Sequence, residues 1–478
     1  MAQTTTTFTR ARMLIQPRWE GKDGLRAILS TSFPLMLSFM VASMNLLLDR
    51  VFLAWHSKDA FNAALQSGMT HWMIVNIFFQ AVGYTATFVA QYVGAKDDHD
   101  VGPMMWQGVY VSLLGGVVMA LLAPIGYPIF RFIGHHGNVP LLEAQYFEML
   151  CLGSFAFLLF NTVISFFAGR NRTMIMLFFN IVCCLLNTCF NSWLIFEKFW
   201  IFPTGIKGAA FATVAANLIT FVFAGALILA GRANEERFAM RSGWRFDLVR
   251  TRQLLRYGLP AGVHVMIDLV GFTTFMNVVG VFGEREQFAS NMAMNLNLML
   301  FIPAVGLHVG TQILSGQFCG ARDHDASERM VSGSFCLAAI YMIIVVLMYL
   351  LIPEPMLHWF RGGLPEHEWN ESLQLAKLLL LFVAFYSIFD AAALIYGGAL
   401  KGAGDTRFVM FTSVGFSTLL FATPCIVVAY LFHVGRLDKL AGLYTAWVFC
   451  AIYVMFMATI NFLRFRHGKW KTFDLVHR

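Results

Sequence analysis

Three acids stand in stretches otherwise too apolar to tolerate them: Asp49, Asp268 and Asp390. Asp268 lies in YGLPAGVHVMIDLVGFTTFMNVVGVFG, residues 257–283, which is long and apolar enough to cross a bilayer as a helix. Asp390 lies in LLLLFVAFYSIFDAAALIYGGALKG. A charge at the bilayer centre costs about 2.5–3.5 kcal/mol, so an acid there marks an ion or substrate path. Two such acids in one dry cavity would repel one another; one would hold a proton, or a cation such as Na⁺ would sit between Asp268 and Asp390. His264, four residues before Asp268 and on the same helical face, offers a proton relay because its ordinary pKa lies near neutrality. Pro34 and Pro260 stand early in their spans, where a missing N–H makes a hinge.

Asp49 sits near the outer end of the first span, with Asn45 one turn earlier and Arg50 directly after it. It reads either as a coupling or gating acid or as the partner of Arg50 in an interfacial salt bridge. Asn187 and Asn191 share one helical face, as do Asn291 and Asn295. Amides so spaced either join helices or supply ligands.

These residues need a membrane around them, and the composition supplies one. The 478 residues are 58% hydrophobic and only 13% charged, against about 25% charged in soluble domains. The expected fold is an all-α polytopic membrane protein of about twelve transmembrane helices in two pseudo-symmetric six-helix lobes. The spans fall near 28–54, 67–92, 104–130, 143–167, 173–196, 207–230, 257–282, 290–318, 331–353, 372–400, 408–432 and 441–463. This divides the chain into an N-terminal tail (1–27), an N-lobe (28–230), a basic linker (231–256), a C-lobe (257–465) and a C-terminal tail (466–478). The N-terminus has no apolar core of a signal peptide. Of 34 Lys and Arg residues, 24 fall on the side that holds both tails and the linker, which places both termini in the cytoplasm. The net charge of +7 is then an orientation signal rather than a sign of nucleic-acid binding. The linker reads as solvated.

The chain also repeats itself. FVAQYVGAKDDHD (88–100) returns as ILSGQFCGARDHD (313–325). The offset from Gln91 to Gln317, 226 residues, also separates Pro34 from Pro260. A later echo pairs FFAGRNRT (166–173) with GALKGAGDT (398–406). Six spans per half give both halves one orientation, hence a pseudo-two-fold axis along the membrane normal.

Other classes find little support. No G-x-x-x-x-G-K-[ST], H-E-x-x-H or G-x-S-x-G occurs, so neither an ATP motor nor a common hydrolase site is expected, and no cofactor. The eight cysteines form no C-x-x-C and read as buried, inert thiols. A membrane-embedded prenyl-transferase-like enzyme would need clustered aspartates. The only clusters, DDHD (97–100) and DHD (323–325), sit in basic-flanked loops and read as solvated turns. The 48 Phe and 26 Met residues could line an adaptable apolar cavity, but most must face lipid or other helices.

Taken in order, the landmarks resemble the MATE (multidrug and toxic compound extrusion) family, in particular its NorM-like bacterial branch. They are Pro34 with Asp49, the Gln-x-x-Gly-Ala loops at 91–95 and 317–321, and Asn187/Asn191 ahead of GIKGAAFAT (205–213). GLP with Asp268 follows, then FIPAVGLHVG (301–310), and Asp390 before LKGAGDT (400–406). The resemblance covers about Ser30 to Arg464. It implies a secondary antiporter of the bacterial inner membrane, a monomer that exports small organic, often cationic, compounds in exchange for Na⁺ or H⁺ by alternating access. It also implies an outward-opening V of two lobes. Asp268 and Asp390 match the branch's C-lobe coupling acids and Asp49 its N-lobe acid. The span-7 acid is usually Glu in that branch, and GRNRT lacks the Gly-Asp-Thr ending of 404–406. A lipid-linked precursor flippase of the wider superfamily is the alternative.

Overall fold

The computed structural model describes residues 18–133, 139–196, 204–362 and 365–476. The described chain is helical, and twelve of its helices are long and apolar enough to cross a membrane. They are Leu25–His56, Asp59–Ala95, Asp98–Phe132, Val139–Gly169, Thr173–Leu194 and Gly205–Ala230 (spans 1–6), then Leu248–Phe282, Glu284–Gly320, His324–Leu351, Glu366–Ala403, Thr406–His433 and Lys439–His467 (spans 7–12). Each coincides with a predicted span and most run further at the ends. Hydropathy marks the part of a helix that needs lipid, whereas the polar turns beyond it continue on backbone hydrogen bonds alone. Span 7 shows this most clearly: it begins at Leu248, so the last turns of the expected linker are helix.

The chain packs into two compact units. One comprises residues 1–36, 267–315 and 323–473; the other comprises 37–266, 316–322 and 474–478. The units divide inside spans 1 and 7, shortly after Pro34 and Pro260. Glycines explain why. In the 37–266 unit, Gly258 and Gly262 of span 7 lie against the backbone of Ala81 and Ile77 in span 2. In the other unit, Gly306 and Gly310 of span 8 lie against Met36 and Ser32 of span 1. Each pair is a Gly-x-x-x-Gly, the spacing that lets membrane helices approach to backbone contact.

The internal repeat is visible in the backbone. Lys96 and Arg322, equivalent in the first echo, both turn left-handed, at φ 61° and 55°. Asn171 and Gly404, equivalent in the second, do the same at φ 59° and 101°. A Cβ on Gly94 would strike the carbonyl of Gln317, and one on Gly320 would strike the carbonyl of Gln91. The repeated Gln-x-x-Gly therefore records one close backbone crossing, seen from both sides.

The linker is not a solvated tether. A short helix, Arg232–Phe238, and the segment after it fold back on span 3. Arg237 pairs with Asp98 at 2.6 Å and Arg250 with Asp100 at 2.8 Å. The Trp106 indole donates to Met240 O, the Tyr110 hydroxyl donates to Trp244 O, and Gln107 bonds the backbone of Arg245 and Asp247. Phe238 is buried and packs edge-on against Phe166, and the Arg170 guanidinium lies over both rings. In the other unit, the tail after span 12 behaves alike. Trp470 is buried and stacked on Phe465, and Lys471 pairs with Glu328. The acidic clusters are thus partners and caps rather than solvated turns, since Asp323 caps span 9 at Ala326.

Candidate cation sites

In the unit holding residues 267–315 and 323–473, one oxygen of Asp268 collects two donors. Ser413 Oγ of span 11 and Tyr453 Oη of span 12 each donate to Asp268 Oδ1 at 2.6 Å. Local sequence sets up both. Pro424 cannot donate to the turn before it and crowds that carbonyl. The helix accommodates this as a π-helical stretch over Ser417–Ala422, a distortion characteristic of such strain. Phe421, within it, stacks on Tyr453 with centroids 5.2 Å apart and planes 6° from parallel. Gly271, three residues after Asp268, leaves room for Ser417. Span 7 is thereby seated against span 11 with its carboxylate facing two hydroxyls.

Asp390 of span 10 belongs to the same unit and lies within electrostatic range of Asp268. The sequence reading missed a third charge. Lys401, 6% exposed, also acts electrostatically on Asp268. It follows Asp390 by about three helical turns and so shares its face. Its signal was present as the cation in LKGAGDT, read there only as part of a loop motif. The other half of that motif is structural: Asp405 is buried and pairs with Arg464 at 2.7 Å. Arg172 occupies the equivalent place in the first half, so that ion pair has no counterpart there.

In the 37–266 unit, Asp49 is 6% exposed. Asn191 Nδ2 donates to its Oδ1 and also to Asn187 Oδ1, and Asn187 Nδ2 donates to Thr213 Oγ1 at 3.0 Å. The two asparagines tie spans 5 and 6 together and bring an amide to the acid of span 1. Arg50 acts on Asp49 through charge alone; no Asp49–Arg50 ion pair forms among the described residues. Asn191 Oδ1 is buried and accepts no hydrogen bond among the described residues. With Asp49 it offers oxygens that suit a hard monovalent cation. Thr213 was not singled out from sequence, although it closes GIKGAAFAT.

His264 lies one turn before Asp268 in a continuous helix. Asn295 donates to Asn291 O, within its own helix. Pro34 and Pro260 stand inside unbroken helices beside the points where the chain changes unit. No three His, Cys, Asp or Glu side chains gather as a metal site among the described residues.

The MatE family model matches residues 34–193 and 260–431. Both acid clusters and both prolines fall within the matched segments, apart from Tyr453 and Thr213. The chain belongs to the MatE family. Among curated proteins it is 23% identical over 463 residues, 95% of each chain, to the probable multidrug resistance protein NorM of Thermotoga maritima. It is 25% identical over 398 residues, 82% of this chain and 81% of the other, to the multidrug resistance protein PmpM of Pseudomonas aeruginosa. Its fold is that of a multidrug resistance MATE family transporter of the MOP superfamily solved in an outward-facing conformation, with TM-score 0.82 and 18% identity over 94% of this chain and 97% of that one. A MOP superfamily transporter from Pyrococcus furiosus gives 0.80 at the same identity, covering 94% and 97%. The protein is thus a twelve-span membrane protein of the MatE family.

Proposed function

We propose that this chain is a secondary multidrug or metabolite antiporter of the bacterial inner membrane, with both termini cytoplasmic. It exports small organic, often cationic, compounds by alternating access in exchange for a monovalent cation, Na⁺ or H⁺, and acts as a monomer without a cofactor. The observation that carries this is Asp268: a span-7 carboxylate fixed by Ser413 and Tyr453 within electrostatic range of Asp390. Family membership and the relatives' names supply the class of cargo.

The mechanism follows from charge. Two neighbouring carboxylates in apolar spans are costly with both ionised and unfilled. Lys401 offsets one of them, and the other is satisfied by a proton or by Na⁺. Filling changes which conformation is favoured, because a ligand shifts an equilibrium by its differential affinity for the two states. Asp49 with Asn191 and Asn187 forms a second, N-lobe coupling or gating site. His264 is the relay if the ion is a proton.

The test is efflux of a labelled organic cation from proteoliposomes under an imposed Na⁺ gradient, and separately under a pH gradient. Gradient-driven efflux under either supports the antiporter and names its ion. Lipid-linked precursor movement without drug efflux would favour the flippase.

A further inference from the structure

The linker carries a surface that transport chemistry does not use. Trp244, Phe246, Leu248 and Val249 are each 58–70% exposed, four large apolar side chains within six positions. In a segment read as lying outside the spans, such a concentration of exposed apolar groups marks a protein or membrane interaction surface. The segment is not loose, since its backbone is held by Gln107 and Tyr110, and the Thr251 hydroxyl donates to Gln107 Oε1. Thr251 and Leu254 are buried and face the protein, so the first turn of span 7 turns Leu248, Val249 and Arg252 outward.

The charges around these side chains are basic. Residues 241–252 contain four arginines and one acid, Asp247. Asp247 is occupied: its carboxylate caps the backbone N–H groups of Val249 and Arg250 and lies 3.7 Å from Arg250. Arg250 is paired with Asp100 and Arg241 donates to Leu229 O. Arg245 and Arg252 are exposed and form no ion pair among the described residues. The surface is also continuous with a membrane-facing stripe. Phe246 packs edge-on against Tyr110 at 5.5 Å. From Tyr110 an exposed stripe of Leu114, Val117 and Leu121 runs along one face of span 3. Aromatic side chains favour the headgroup level of a bilayer, and Trp244 and Phe246 stand where this stripe meets the linker.

We propose that residues 243–252 form a docking site for anionic phospholipid of the cytoplasmic leaflet. Trp244, Phe246, Leu248 and Val249 enter the interface, and Arg245 and Arg252 bind headgroup phosphates. The proposal rests on the cytoplasmic placement of the linker, not on the coupling chemistry. The lipid would hold the start of span 7, the helix that carries Asp268.

Hydrogen exchange by mass spectrometry tests this on the full chain in nanodiscs of phosphatidylcholine alone and of phosphatidylcholine with phosphatidylglycerol. Phosphatidylglycerol is expected to slow exchange across 243–252 by about thirtyfold, the scale of two arginines near an anionic surface. Arg245→Gln with Arg252→Gln should remove that difference while leaving exchange across 101–112 unchanged, which reports that the fold is intact. Trp244→Ser with Phe246→Ser should speed exchange across 243–252 in both lipids. Equal exchange in the two lipids would overturn the proposal, as would a difference that survives the double arginine variant. Protection that grows with protein per disc would assign the surface to a second copy and overturn it equally. Because the readout is exchange and not efflux, failure here leaves the antiporter reading standing.

Discussion

Tyr453 of span 12 and Ser413 of span 11 donate to the same oxygen of Asp268, each at 2.6 Å. Both donors strengthen an ionised acceptor, so they compete with whatever cation or proton neutralises it. A hydrogen bond to a charged group contributes about 1.5–3 kcal/mol. Tyr453→Phe keeps the stack on Phe421 and removes only the hydroxyl. It should shift the cation concentration for half-maximal efflux toward tighter binding by about tenfold. Efflux measured across Na⁺ concentration and across pH checks this. An unchanged profile would mean the hydroxyl serves only packing.

Asp268→Asn and Asp390→Asn should each abolish gradient-driven efflux while drug binding persists. The double variant should be no worse than either single one, because residues that act as a unit are not additive. Drug binding by calorimetry and efflux from the same proteoliposomes separate the two effects. Additive losses, or coupled transport in either single variant, would assign the acids a structural role.

Lys401→Met removes the nearby cation while roughly keeping the bulk of its stem. With Lys401 gone, Asp268 loses an internal counter-charge, and external cation must supply more of the neutralisation. Efflux should become more steeply dependent on Na⁺ or on acid pH, and slower at low cation. An unaltered cation dependence would leave Lys401 as a structural partner only.

Much of this was legible in the sequence, for identifiable reasons. Lipid imposes length and hydropathy on each helix, so twelve spans could be counted. An acid such as Asp268 stands out because so few residues of its kind enter a span. The repeat could be aligned because Gly94 and Gly320 admit no side chain against a facing carbonyl. What stayed hidden depends on tertiary contact. Nothing in a linear reading distinguishes Arg50 from Asn191 as the partner of Asp49; the closer in sequence is the wrong one. Lys401 lay at a span end, where cations are usual, and its burial comes from neighbours. The linker looked solvated because its partners, Asp98 and Asp100, stand far back in the chain. The Gly-x-x-x-Gly pairs at 258/262 and 306/310 gain their meaning only from the residues they meet, Ala81 and Ile77 for the first and Met36 and Ser32 for the second.

Asp49 sits in an amide cluster where Asn191 donates both to it and to Asn187. Asp49→Asn should lower efflux with expression near normal. Asp49→Ala leaves a buried donor without its acceptor and should cost about 1–3 kcal/mol of stability besides. Thermal unfolding in detergent and efflux in proteoliposomes read the two effects. Full transport by Asp49→Asn would remove the N-lobe acid from the coupling machinery.

The linker supplies a pH test that involves no buried acid. Glu235 accepts the backbone N–H of Arg241, then that of Ser242 with its side chain nearby, and these bonds hold its carboxyl below its ordinary value. A folded-state pKa that is depressed contributes stability above the unfolded pKa and loses it as pH falls through the folded one. The clasp over 239–242 should therefore be closed at neutral pH and open progressively below the ordinary glutamate value of about 4.3. Glu235→Gln keeps an acceptor oxygen but removes the charge that assists both bonds. It should raise exchange across 239–242 at neutral pH toward the level that the wild type reaches in acid, and flatten the pH dependence. Hydrogen exchange of that peptide, corrected for the intrinsic effect of pH, measures both. A wild-type profile that is flat down to acid pH, or a variant that keeps the wild-type slope, would show that Arg237–Asp98 and the buried ring of Phe238 hold the clasp without Glu235.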